Sequence, residues 1–310
     1  MRMLSNDIFE EARKSIMAYG RPLERSLLEV YFYEGSKANV VEELKKFQNE
    51  DGGFGHGLES DFRLPYSSPI ATSVGIRHLS KLDELEEARA MIKKAIGYLE
   101  SCFDENRNGW FAVPKEVNDF PHAPWWHYDE EHGMTIIDSN WGNPSAEILA
   151  YLYEYKEYVR NLDVDELIEF AIDAIENKEE FDSEHEIYCY IKLYEVLPDK
   201  LQKKLKRGIE AAIGQLIEHE KEKWVEYVPM PLDFVENPNA DKFGIEGFKI
   251  KENLDFMIGQ LEQNQKIIPP WGQEFYMEDL KPAYNEWIGE LTLKALIRLD
   301  QYGAIEKKDA

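Results

Sequence analysis

Cysteine is almost absent from this chain of 310 residues: the only two, Cys102 and Cys189, each fall inside a segment of helical periodicity and cannot form a disulfide framework. That pattern predicts a reducing compartment, the cytoplasm by default. Positive charge is scarce as well. Thirty-six Lys and Arg against 61 Asp and Glu leave a formal charge of −25 and a pI near 4.7, which repels phosphate backbones and anionic lipid surfaces. Neither nucleic acid nor membrane is therefore expected as a partner. Long apolar runs are missing too: no stretch reaches the roughly 18 residues of a membrane span, and the N-terminal residues are acidic and amphipathic, which predicts no classical export signal. Nothing rich in Pro, Ser or Gly reads as a linker. With 43% hydrophobic residues the chain can bury a large core, and the expectation is one domain over residues 1–310.

What is present is organised around residues 44–73, LKKFQNEDGGFGHGLESDFRLPYSSPIATS. Val40, Val41, Leu44 and Phe47 fall at offsets that make one apolar stripe at a 3.6-residue period, so a helix ends near Gln48. Gly52, Gly53, Gly55 and Gly57 let the chain turn sharply and hold Phe54 in place, and Gly53 is expected to need a conformation open mainly to glycine. Ser68 is placed to cap a second helix and Pro69 to fill its first turn.

The same alternation runs along the chain. Helices are predicted over roughly 7–17, from Pro22, over 40–47, 68–82 and 85–103, from Asn143 and Pro144, and over 164–175, 183–197, 201–217, 252–263 and 284–302. Ser183 and Glu186 read as a capping box. The loop between 103 and 143 is unusually long and holds Trp110, Trp125, Trp126 and Trp141, while the prolines and glycines of 225–248 forbid a long helix there. The count is about eleven helices in units of roughly 45 residues, the period of stacked helical pairs.

The spacing of Leu44, Gln48, Asp51, Gly52, Gly53 and Phe54 resembles the glutamine-and-aromatic repeat of the terpenoid cyclase and protein prenyltransferase superfamily. One copy is close. Later crossings, from Leu99 to Trp110, Leu216 to Trp224 and Phe256 to Trp271, keep the aromatic and change the spacing. The resemblance implies an all-α fold, an α/α toroid of outer and inner helix pairs around a central cavity. The aspartate-rich acid of the class II cyclases has no counterpart here, since neither the Glu59 and Asp61 pair nor the run Asp129, Glu130 and Glu131 matches it. Asp182, His185 and Cys189 share a helix face at offsets of three and four, yet they depart from the zinc ligands of the prenyltransferases, and no metal is expected; a cofactor is left open.

Function then rests on the loops that precede inner helices. Glu59, Asp61 and Asp138 are the candidate catalytic carboxylates, expected to crowd so that one retains its proton and acts as a general acid. His56, Arg63, Trp125, Trp126, Asn140, Trp141, Glu147, Trp271 and Glu286 are the candidate ligand contacts. Each has a plainer reading: Asp61 and Arg63 can pair across a turn, Asp138 and Asn140 can cap, and Trp110 and Trp271 can plug against neighbouring helices. Three classes follow. They are an enzyme on an isoprenoid-like or other small organic substrate, a glycan hydrolase or lyase, and a non-catalytic toroid binding a small molecule or glycan; oligomeric state is open.

Overall fold

A computed structural model describes residues 2–306, and among these there are twelve α-helices and no strand, only isolated bridges. The helices are α1 (Asn6–Tyr19), α2 (Pro22–Phe32), α3 (Lys37–Lys45), α4 (Pro69–Leu79), α5 (Glu86–Ser101), α6 (Gly142–Glu154), α7 (Val164–Glu176), α8 (Glu184–Val196), α9 (Asp199–Leu216), α10 (Pro231–Phe234), α11 (Gly247–Asn264) and α12 (Lys281–Gln301). All eleven predicted helices are present. The addition is α10, a single turn in the segment whose prolines exclude anything longer. The expected single domain meets a chain that divides into two compact units, one spanning Val41–Leu216 and the other formed by the described residues up to Val40 and from Ile217 onward.

Within Val41–Leu216 the helices form two layers. Helix α4 packs on α6 and α6 on α8, while α5, α7 and α9 pack against them from the other layer and α7 also meets α9. Composition explains the sorting. Helix α7 buries only the stripe Val164, Leu167, Ile168, Ala171, Ile172 and Ile175, whereas α6 is buried continuously from Gly142 to Leu152. A helix enclosed on all sides must satisfy any charge it carries, and α6 carries Glu147.

The loop of residues 46–68 is fastened by its own polar groups. Gln48 Nε2 donates to the carbonyls of Gly52 (2.9 Å) and Met91 (3.0 Å), tying the end of α3 to α5. Asp51 accepts from Gly53 N (2.9 Å) and Ser67 Oγ (2.7 Å), and Phe54, fully buried, lies against Gly75 of α4. Ser68 caps α4 through Ala71 N, with Pro69 in the first turn. The conformational demand falls on Gly52, whose φ is +93°, and not on Gly53; a Cβ on Gly53 would instead lie 2.5 Å from Ser67 Cβ and 2.8 Å from the Tyr98 ring. Gly53→Val is therefore expected to destabilise through overpacking, by about 1–3 kcal/mol. A urea midpoint unchanged from the parent protein would show that the loop has room the structure denies it.

The long loop of residues 102–141 is built of turns and short 3₁₀ segments around buried Trp110, whose Nε1 donates to the Leu99 carbonyl at 2.7 Å. In the other unit α12 packs on α1 and α2, and Gly289 touches Gly20 so closely that a Cβ would lie 2.3 Å from the Gly20 Cα. Ser183 caps α8 through Glu186 N, but the Glu186 carboxylate accepts instead from Gly142 N (2.9 Å) and Lys178 Nζ (2.5 Å). The predicted box thus becomes a tie between α8 and the start of α6.

Candidate functional site

Two polar clusters stand out in the Val41–Leu216 unit. The first joins the loop of residues 46–68 to the loop of residues 102–141. Arg63 N donates to the Pro121 carbonyl (2.8 Å) and Ala123 N to the Asp61 carbonyl (2.7 Å), so the two loops are held backbone to backbone. On that frame Trp125 Nε1 donates to Asp61 Oδ2 at 3.1 Å, and Glu59 Oε1 accepts from Asp61 N at 3.3 Å. His122 and His127 stack with ring centroids 5.4 Å apart and Nε2 to Nδ1 at 3.1 Å, while His122 Nδ1 donates to the Phe120 carbonyl at 2.7 Å. Of the adjacent tryptophans, Trp126 is buried edge-on against Phe62 and Trp125 is half-buried. Two buried polar atoms beside this frame, Ser60 Oγ and Trp126 Nε1, have no hydrogen-bond partner among the described residues.

The second cluster bridges the layer of α4, α6 and α8. Glu147 receives Arg77 Nε on Oε1 and Nη2 on Oε2, both at 2.7 Å, and Tyr151 donates its hydroxyl to Oε1 at 2.6 Å. Cys189 Sγ lies 3.9 Å from both Glu147 Oε2 and Asn143 Oδ1. Burial alone would push the Glu147 carboxyl up. The charge and hydrogen bonds of Arg77, helped by Tyr151, outweigh burial and hold it below the ordinary carboxylate range, so it is an anion at neutral pH and no proton donor. Burial likewise pushes the Cys189 thiol and the Tyr151 phenol well up, and both stay neutral.

The other expected residues are placed as follows. Asp138 is buried and fully occupied, with Oδ1 accepting from Ala112 N (2.7 Å) and Oδ2 from Thr135 N (2.9 Å) and Thr135 Oγ1 (2.7 Å). His56 bonds Asn49 through Nε2 at 2.8 Å in a left-handed turn. Asn140 accepts from Lys178, and Trp141 packs edge-on to Phe170. Trp271 donates to the Tyr276 hydroxyl (2.6 Å) between Tyr227 and Trp287, and Glu286 acts on the buried Arg21; these lie in the other unit. His185 is exposed and meets Tyr188, so of the trio with Asp182 and Cys189 only Cys189 reaches the Glu147 cluster.

Sequence reasoning passed over Arg77, Tyr151, His122 and His127. A signal existed for two: Arg77 is the one cation in the otherwise neutral first nine residues of α4, and Tyr151 stands one helical turn beyond Glu147. No known protein family matches the chain, and neither a curated protein nor a solved structure matches it.

Proposed function

We propose that the chain is an α/α toroid of the terpenoid cyclase type whose Val41–Leu216 unit takes a polyhydroxylated, sugar-like ligand at the Asp61 and Trp125 cluster. The alternation of α4, α6 and α8 with α5, α7 and α9 supports the first half. One observation carries the second: a half-buried Trp125 ring fixed by its Nε1 on the Asp61 carboxylate at 3.1 Å. The apolar face of a pyranose stacks on such a ring, and the buried Asp61 carboxylate that holds its N–H fixes the orientation in which the ring is presented. An isoprenoid calls for an apolar wall. The presence of Asp61, Glu59, His122 and His127 in the same two loops favours the polar ligand.

Glu59 is the carboxylate next to this pair, and in a hydrolytic reading it is the proton donor to the glycosidic oxygen. Titration of neutral oligosaccharides of differing linkage, followed by tryptophan fluorescence and calorimetry, should give saturable binding for at least one. Trp125→Ala and Asp61→Asn are each expected to weaken it by tenfold or more. If no neutral oligosaccharide binds at millimolar concentration, the reading fails. Where one binds, chromatography of the mixture separates hydrolase from binding protein, and loss of product formation in Glu59→Gln with binding intact assigns the donor.

A further inference from the structure

The Arg77 and Glu147 pair is more elaborate than packing requires. Both groups are desolvated by the helices around them, and a buried ion pair gives stability no greater than well-packed apolar residues would. The two partners nevertheless differ in access to solvent: the Glu147 side chain is 3% exposed and that of Arg77 is 40% exposed. The guanidinium is bonded to protein along one edge while part of the Arg77 side chain reaches water. Its bonded edge, Nε and Nη2, is held by Glu147, so the side chain has one orientation; Nη1 has no hydrogen-bond partner among the described residues. Ser73, one turn earlier on the same face of α4, is fully buried and its Oγ is also unpartnered. Lys192, on α8 one turn beyond Cys189, adds positive potential over Glu147.

We propose that Arg77 is a binding site for an oxyanion, the carboxylate or phosphate of a small organic ligand, received on the Nη1 edge. Glu147 and Tyr151 act as positioning residues. A guanidinium already locked by a bidentate carboxylate loses little further freedom when a ligand oxygen arrives, and its N–H groups point outward at fixed angles. The chain carries a formal charge of −25, so a retained cation facing solvent inside a helix layer is the feature that would admit an anion. This site, on α4 and α6, shares no residue with the Asp61 and Trp125 cluster of the loops.

Calorimetric titration of the whole chain at low ionic strength with citrate, for the carboxylate source, and inorganic pyrophosphate, for the phosphate source, tests it. At least one should saturate, and the double variant Arg77→Gln with Glu147→Gln, which keeps neutral hydrogen-bonding groups in place, should bind it at least tenfold more weakly. Trp125→Ala should bind as the parent protein does, which separates this site from the loop cluster. In the unaltered protein, the bound oxyanion should slow modification of Arg77 by p-hydroxyphenylglyoxal at least fivefold, read by peptide mass spectrometry. The assignment is overturned if neither anion saturates, if the folded double variant keeps parental affinity, or if Arg77 is unprotected by the anion that binds.

Discussion

Arg77→Met is expected to lower stability by about 3–5 kcal/mol, the range seen when one partner of a buried ion pair is removed. Glu147, 3% exposed, would keep one hydroxyl donor, Tyr151, and lose both guanidinium bonds. The converse change should be milder. Glu147→Leu leaves a guanidinium whose side chain is 40% exposed and can turn its freed edge toward water, so the cost of an unpaired buried charge is only partly incurred. Equal losses in the two variants would mean that Arg77 is as enclosed as its partner, and the open edge described above would not exist.

The pH dependence separates this account from a loss of packing. In the parent protein the folded Glu147 carboxyl titrates below its unfolded value, so its contribution is fully present above the ordinary carboxylate pKa and is lost as pH falls through the depressed one. Without Arg77, burial, the largest influence on this carboxyl, is opposed only by the Tyr151 hydroxyl and the more distant Lys192, and the carboxyl titrates above its unfolded value. Its effect on the variant is then reversed: the folded state is least penalised below the unfolded pKa and loses stability as pH rises through the elevated one. The stability gap between parent and Arg77→Met should therefore narrow markedly as pH falls from 7 to the ordinary carboxylate pKa of about 4.3. A gap constant over that interval would assign the loss to packing.

The elements that local signals specify were legible before any coordinates. Ser68 with Pro69 marks the start of α4 to within one residue, and the apolar stripe of α7 marks both ends of that helix, because caps and periodicity are properties of adjacent residues. Long-range partners were not legible. Glu186 reads as half of a capping box with Ser183, yet its carboxylate is taken by Gly142 N, 44 positions away, and Lys178. Glu147 could be singled out as a polar residue near the start of an apolar helix, but its partner Arg77 is 70 positions earlier, and only the packing of α4 on α6 brings them together. Gly53 shows the same limit on a smaller scale: its glycine character was legible, while the neighbour that demands it, Ser67, depends on how the loop closes.

Asp138→Ala should be the second costly change, and it bears on what this carboxylate is for. Its oxygens satisfy three donors, Ala112 N, Thr135 N and Thr135 Oγ1, in a site where its own side chain is buried. Each orphaned buried donor costs about 1–3 kcal/mol, so the sum is about 3 kcal/mol or more unless water enters the gap. The loss should be concentrated in the long loop of residues 102–141, because Ala112 and Thr135 lie near its two ends and Asp138 is the side chain that joins them. Limited proteolysis should therefore cut the variant faster in the exposed turn around residues 129–133, well before global unfolding. Asp138→Asn should fall between parent and alanine variant, since the amide oxygen keeps one side of the network while its NH₂ opposes a donor on the other. An Asp138→Ala protein with parental urea midpoint and parental cleavage rate would remove this fastening role and return the carboxylate to the set of candidate acids with Glu59 and Asp61.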